Sequence, residues 1–120
     1  MSMKLKEVIE LLNANVLYMR PNHEGKEVST VEASDLMSDI LASGNVPDLL
    51  LTGLTNAQVV RTASIFGIKA VVIVKGKKME QKIIDLAQEE GISIMSTDDD
   101  LFEASGKLYS KGIRRHEEEI

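Results

Sequence analysis

The chain has 120 residues, 43% of them apolar, and a formal net charge of −5, which suits one compact domain with a core of its own. It contains no cysteine, so disulfides, iron–sulfur clusters, thiolate zinc sites and a cysteine nucleophile are excluded. The acidic balance argues against nucleic acid as a partner, because affinity for a phosphate backbone depends largely on Lys and Arg.

The first half of the chain predicts two helices and two strands from apolar residues at helical spacing and from short β-branched runs. Ser34 would cap the second helix and Gly44 would end it. In chain order we expect a helix over 4–13, a strand over 16–19, a turn over 21–25, a strand over 28–33 and a helix over 35–43.

The second half alternates regularly between apolar strands and amphipathic helices. Strands are predicted over 49–52, 70–74 and 92–95, and helices over 55–66, 78–90 and 98–111. Val59, Val60, Ala63 and Phe66 would face the core from the first of these helices. Strands that are apolar throughout and joined by helices indicate a parallel sheet covered on both faces. The predicted fold is a three-layer α/β/α domain with a mostly parallel sheet.

A weak repeat marks the ends of these helices. Ala63-x-x-x-Gly67-Ile68 recurs as Ala87-x-x-x-Gly91-Ile92, and Gly112-Ile113 echoes it again. Glycine at each position suits the left-handed residue that commonly ends a helix. We expect one domain over 1–113, followed by a charged tail over 114–120 that frays or extends the last helix.

Three strand-to-helix loops should meet at the carboxyl edge of the parallel sheet, where ligands of open α/β folds usually bind. We assign candidate ligand-binding residues in each loop. They are Thr52, Gly53, Thr55 and Asn56 in the first loop, Lys75, Gly76 and Lys77 in the second, and Ser96, Thr97 and Asp98 in the third.

The first loop permits two interpretations. Thr55-x-x-Gln58 matches a capping box, and Gly53 suits a tight turn, so a capped turn explains every residue. Alternatively, Gly53 lets a ligand approach the backbone while the positive end of the next helix favours an anion. The specific glycine-rich nucleotide fingerprints are absent from the sequence.

The other two loops carry opposite charges. Lys75, Lys77 and Lys78 could receive a phosphate or carboxylate, or could simply be solvated lysines. Thr97-x-x-Asp100 has the spacing of a helix cap, and acids suit the first turn of a helix. Oxygen ligation of Mg²⁺ by the three consecutive aspartates is the alternative, but they cannot all point at one ion. We therefore predict neither a metal nor a cofactor.

Other side chains give no catalytic pattern. His23 and His116 have no metal-ligand spacing and are expected at the surface, and no serine-hydrolase elbow or zinc-protease motif is present. Tyr18 and Tyr109 are expected to be half-buried packing residues. Met19, Met37, Met79 and Met95 fit a core better than a recognition groove. The sequence predicts no enzyme activity.

The helix over 35–43 carries an apolar face at helical spacing, formed by Leu36, Met37, Ile40 and Leu41. This face could form the interface of a homodimer, or it could pack on the sheet of its own chain. No apolar run approaches the roughly 20 residues of a membrane helix, and the first residues do not form a signal peptide. We expect a cytoplasmic protein without a membrane partner.

Several segments resemble the DRTGG domain family across nearly the whole chain. Residues 34–42, Ser-Asp-Leu-Met-Ser-Asp-Ile-Leu-Ala, are similar to the family segment DLLSDVLA. The strand into Thr52-Gly53 agrees, as do Gly67-Ile68-Lys69-Ala70, the stretch from Ala87 to Ser96-Thr97, and Phe102-Glu103 with Gly106 and Leu108-Tyr109. The chain departs from the family at Gly53-Leu54-Thr55-Asn56-Ala57, which lacks the Asp-Arg pair of the family's name.

The resemblance implies a domain like the N-terminal domain of HPr kinase/phosphatase. Such domains occur beside CBS domains in some pyrophosphatases, attached to phosphotransacetylases, and as stand-alone proteins encoded near iron-only hydrogenases. It implies a non-catalytic regulatory or dimerisation module, accessory to a hydrogenase, a kinase or a phosphotransfer system, with a partner protein still to be identified. The alternative is a sensor of a phosphorylated or carboxylated ligand, such as a nucleotide, at the strand-to-helix loops.

Overall fold

The computed structural model describes residues 1–42 and 44–115, except for the side chain of Leu41. Its short strands and helices alternate, except for three successive strands between the first two helices. In chain order they are β1 (Met3–Lys4), α1 (Leu5–Leu12), β2 (Asn15–Tyr18), β3 (Glu27–Val28), β4 (Val31–Ala33), α2 (Met37–Ala42), β5 (Leu49–Thr52), α3 (Ala57–Phe66), β6 (Ala70–Ile73), α4 (Gln81–Glu90), β7 (Ser93–Ser96) and α5 (Leu101–Ser110).

The main sheet has five strands in the order β2-β7-β6-β5-β4. Strands β4 to β7 run parallel, and β2 joins the edge antiparallel to β7. A separate antiparallel pair links β1 with β3. The mostly parallel α/β architecture predicted from the apolar strands is confirmed, and it brings the carboxyl ends of four strands to one edge.

Alternate residues of the strands divide the core into two layers, because successive side chains of a strand point to opposite faces. Leu49, Leu51 and Val72 pack with α1 and α5. Leu50 and Val71 pack with α2, α3 and α4 on the other face. This arrangement explains why the strands are apolar at every position, and the four core methionines predicted from sequence are buried or partly buried within it.

The repeat at the helix ends is a hydrogen-bonded capping motif. Gly67 has φ 76° and its N–H donates to Ser64 O, while the Ile68 N–H donates to Ala63 O. Gly91 has φ 71°, and the Ile92 N–H donates to Ala87 O in the same way. Glycine tolerates the left-handed backbone, and the two bonds satisfy carbonyls that the helix leaves unpaired.

The predicted strand over 28–33 is divided in two. The carboxylate of Asp48 accepts hydrogen bonds from the N–H groups of Ser29 and Thr30, at 2.9 and 3.2 Å. These bonds turn the chain between β3 and β4, which then belong to different sheets. The predicted starts of the helices were also early by one to three residues, because polar residues precede each helix.

Three further sequence predictions were wrong. Phe66 is 37% exposed, since it is the last residue of α3 before the chain turns at Gly67. Tyr109 is 62% exposed, with the Arg114 guanidinium 3.8 Å from its ring centre. Arg114 does not extend the last helix but forms a parallel bridge with Thr30. The remaining tail, 116–120 with His116, lies outside the described residues.

Within the part of the chain that the structure describes, none of the helices has the length and apolar character needed to cross a membrane.

Candidate functional site

The carboxyl edge of the sheet collects the three predicted loops and a fourth loop, between β4 and α2, that the sequence analysis missed. Asp35 in this fourth loop is the residue that joins them. The Gly53 N–H donates to Asp35 Oδ1 at 2.6 Å, and the Thr52 hydroxyl donates to the same oxygen at 3.1 Å. The signal available in the sequence was the position of Asp35 directly after a strand.

Lys77 reaches the same point from the loop after β6. Its Nζ donates to Gly53 O at 2.8 Å. A β-carbon on residue 53 would lie 3.3 Å from Lys77 Nζ and 3.3 Å from Asp35 Oδ1. A side chain at this position would therefore press on both charged groups and displace them by a few tenths of an ångström. An anionic and a cationic side chain thus converge on the backbone of one residue, Gly53.

The second and third predicted loops are joined to each other through their backbones. Gly76 N–H donates to Thr97 O at 2.8 Å, and Lys75 N–H donates to Asp99 O at 2.7 Å. Lys75 and Gly76 both have positive φ, 68° and 61°. A β-carbon on residue 76 would stand 2.6 Å from Asp98 Oδ1, so this glycine permits the close approach of the acidic loop.

The three consecutive aspartates have separate partners or positions. Asp98 lies against Gly76, Asp99 pairs with Lys107 at 2.7 Å, and Asp100 caps α5 by accepting from the Glu103 N–H at 2.8 Å. Among the residues that the structure describes, no group of three acids or histidines could hold a metal ion.

Two predicted caps were wrong in position. The box at the start of α5 uses Asp100 and Glu103 instead of Thr97 and Asp100. The Thr97 hydroxyl donates to Leu12 O at 2.6 Å, which ties the third loop to the end of α1.

In the first loop, Asn56 is the N-cap of α3 and makes no side-chain cap bond. Thr55 is therefore outside the helix, and Ser96 remains in the sheet as the last residue of β7.

The apolar face predicted on α2 is mostly covered by its own chain. Met37 and Ile40 are buried and pack with Leu50 and the neighbouring helices. Leu36, which precedes α2, is 58% exposed. The side chain of Leu41 lies outside the described residues. Of the described members of this face, Leu36 alone is available to a partner.

A cleft of about 570 Å³ lies beside the edge strand β4 and was not predicted from the sequence. It runs between α2 and α5 and is bordered by Arg114, Arg115 and Tyr109, with Glu32 and Asp39 among its polar residues. Arg115 Nε lies 3.7 Å from Glu32 Oε2, and the Arg114 guanidinium donates to the carbonyl oxygens of Tyr109 and Ile113. These contacts close the C-terminal segment onto the sheet.

The opposite edge of the sheet holds a buried histidine. His23 is 3% exposed, and its Nδ1 lies 2.7 Å from Ser93 Oγ. The expectation of a surface histidine was wrong, because the turn after β2 folds His23 onto the start of β7. Burial, followed by the charges of Arg20, Lys26 and Lys69, lowers the pKa of His23 below its usual value, against an opposing effect of Glu24. Burial and the three cations therefore favour the neutral form of the ring.

Comparisons with known proteins agree on one family. A family model described as the DRTGG domain matches residues 7–110. Among solved structures, the CBS and DRTGG domains of the regulatory region of Clostridium perfringens pyrophosphatase, complexed with the activator diadenosine tetraphosphate, match with a TM-score of 0.71 and 18% identity. The match covers 88% of this chain and 45% of that one, so the chain spans less than half of its length. No curated protein matches.

Proposed function

The chain belongs to the DRTGG domain family, as the motif over residues 34–42 predicted, and from this premise we propose that it is a non-catalytic regulatory module that binds a small anionic ligand. The ligand would lie at the carboxyl edge, over Gly53 and Lys77. The observation that carries this proposal is the carboxylate of Asp35 on the Gly53 N–H. A backbone donor that holds an internal anion, with an ammonium group beside it, has the chemistry to hold an external one.

The position of Asp35 supports exchange with a ligand. Asp35 is exposed, and α2 after it has only six residues, so moving its carboxylate disturbs little of the core. The start of α3 adds N–H groups that no side chain caps at Asn56. Helix starts favour negative charge. A phosphate or carboxylate could therefore replace Asp35 on the Gly53 N–H and take Lys77 as its counter-charge.

The absence of catalysis is part of the proposal. In the described loops of this edge, the hydroxyls of Thr52 and Thr97 donate to Asp35 and to a backbone carbonyl. A carbonyl is no base for Thr97, and the Asp35 oxygen beside Thr52 is also held by the Gly53 N–H, so neither hydroxyl belongs to the oriented nucleophile–base pair that nucleophilic catalysis uses. The similar pyrophosphatase domains belong to a regulatory region that binds a nucleotide activator, which supports a sensing function for this chain as well.

We also propose that the protein is a homodimer whose interface includes Leu36. Leu36 follows Asp35 directly, and its exposed side chain lies outside the core that Met37 and Ile40 enter. Displacement of Asp35 by a ligand would move Leu36. A ligand that binds the monomer and the dimer with different affinities would shift the equilibrium between them. Ligand binding and dimerisation would then be coupled. As part of the same proposal, this module would be an accessory protein of a hydrogenase, a kinase or a phosphotransfer system.

The experiment that tests ligand binding is a thermal shift and calorimetry series with inorganic phosphate, acetyl phosphate, ATP and diadenosine tetraphosphate. Lys77→Ala should weaken binding about tenfold or more, because it removes the counter-charge. Asp35→Asn should strengthen binding, because the competing internal anion becomes neutral. Lys82→Ala, which removes another exposed lysine, on α4, is the matched control and should bind as the parent does.

Two outcomes would contradict the sensor proposal. If no probe stabilises the parent protein or Asp35→Asn at concentrations far above its expected dissociation constant, the edge is not an anion site. If Lys82→Ala weakens binding as much as Lys77→Ala, the effect is one of total charge and not of the Gly53 site.

A further inference from the structure

Among the described residues, one ring nitrogen of His23, at the amino edge of the sheet, has no hydrogen-bond partner. The Arg20 N–H donates to Ser93 Oγ at 3.0 Å, and the same oxygen lies 2.7 Å from His23 Nδ1. The neutral ring carries its hydrogen on Nε2 when the Ser93 hydroxyl donates to Nδ1, and the imidazolium carries a hydrogen on Nε2 in either case. Within the described part of the chain, Nε2 has no hydrogen-bond partner.

The free nitrogen borders open space. Among the described residues, every fully enclosed side-chain nitrogen or oxygen has a partner, so Nε2 is not fully enclosed. His23 lines a cavity of about 360 Å³ together with Lys26 and Lys69. Leu5, Val28 and Ala70 give the cavity an apolar wall. This volume falls within the range of small-molecule sites, which combine an apolar lining with a few converging polar groups.

The charged groups that act on the His23 ring are mainly cations. Arg20, Lys26 and Lys69 act on the ring against one acid, Glu24. Two acids, Glu27 and Asp48, also line the cavity and match the charges of Lys26 and Lys69 there, but one oxygen of each is held by neutral donors. Asp48 Oδ2 accepts from the N–H groups of Ser29 and Thr30, and Glu27 Oε2 accepts from the Ser2 hydroxyl at 2.8 Å.

We propose that this cavity is a second binding site, separate from the carboxyl edge, for a small oxyanion held by His23 Nε2–H and the ammonium groups of Lys26 and Lys69. Phosphate and carboxylate share the required chemistry, since both accept several charge-assisted hydrogen bonds. The apolar wall leaves room for a short hydrocarbon part on a carboxylate.

Binding at this site is linked to the protonation of His23. An anion beside the ring favours the imidazolium form and opposes the effect of Arg20, Lys26 and Lys69. By reciprocity, the protonated protein binds the anion more tightly, about tenfold for each unit by which the pKa rises. The affinity should therefore increase as pH falls through the titration of His23.

The test is an NMR titration of the His23 ring with pH, with and without inorganic phosphate and with and without acetate, at constant ionic strength. His116→Gln leaves a single imidazole to follow. We expect phosphate, acetate or both to raise the pKa of His23 and to saturate. The comparison of the two anions identifies which source the site prefers. Lys69→Met should abolish the rise, whereas Lys77→Ala, at the opposite edge, should retain it.

The proposal is overturned if neither anion changes the titration of His23 in a folded protein, or if Lys69→Met leaves the change intact. It is also overturned if Lys77→Ala abolishes the change, because the anion would then act from the carboxyl edge. Since Lys69 is exposed, its substitution should leave the fold intact. The test therefore does not require a substitution of the buried His23, which could unfold the protein.

Discussion

The Gly53 N–H donates a 2.6 Å hydrogen bond to Asp35 Oδ1 across 18 residues of sequence. This bond joins the loop after β4 to the loop after β5, and the bond from Lys77 Nζ to Gly53 O adds the loop after β6. A side chain at position 53 would press on both charged groups. Replacing Gly53 tests how much these contacts between the loops contribute to the stability of the fold.

Gly53→Ala and Gly106→Ala should change stability in opposite directions. A β-carbon at 53 would stand 3.3 Å from both Asp35 and Lys77, whereas a β-carbon at 106 meets nothing within 4 Å. We expect Gly53→Ala to lower the free energy of unfolding by about 1 kcal/mol or more, and Gly106→Ala, inside α5, to raise it by about 0.5–1 kcal/mol. Urea denaturation measures both. Equal effects would show that the space at Gly53 is not restricted.

The caps of α3 and α5 predict a second matched pair. Asp100 accepts from the Glu103 N–H at the start of α5, so Asp100→Ala should cost about 1 kcal/mol of unfolding free energy. Thr55 lies ahead of α3 and does not cap it, so Thr55→Ala should change stability by less than about 0.5 kcal/mol. Chemical denaturation of the two variants checks this, and a large loss in Thr55→Ala would restore the capping box predicted from sequence.

His23 predicts a loss of stability in mild acid. Its pKa in the folded protein is lowered, chiefly by burial and then by Arg20, Lys26 and Lys69. The unfolded chain therefore binds more protons near the usual pKa of about 6.5, so the stabilisation is complete above that pH and is lost as pH falls. Urea midpoints at pH about 7.5 and about 5.5 should show the decrease. His23→Gln should flatten this dependence; an unchanged slope would assign it to other groups.

The proposed dimer can be tested at Leu36. An aspartate in place of this 58% exposed leucine would bury a charge in an interface, so Leu36→Asp should shift the mass toward the monomer in size-exclusion chromatography with light scattering. Phe102→Asp is the control, because Phe102 is 87% exposed and belongs to α5, on the other face of the sheet. A parent protein that is monomeric at all concentrations would contradict the dimer.

The sequence by itself determined the layered fold, because its signals are local and repeated. Uniformly apolar strands such as 70–73 require burial on both faces, and the Ala-x-x-x-Gly-Ile repeat marks helix ends whose bonds span only five residues. The candidate residues Gly53 and Lys77 followed from the same logic, since loops after parallel strands share one edge.

Only the tertiary structure decided which side chains meet there. Asp35 reaches Gly53 across the sheet, Thr97 reaches the carbonyl of Leu12, and His23 packs on Ser93. These contacts join residues that are distant in sequence and leave no periodic pattern to detect. The same cause explains the errors over Thr55 and the strand at 28–33: local spacing permitted a cap and a single strand, but Asp48 and the loop geometry provided other partners for the backbone.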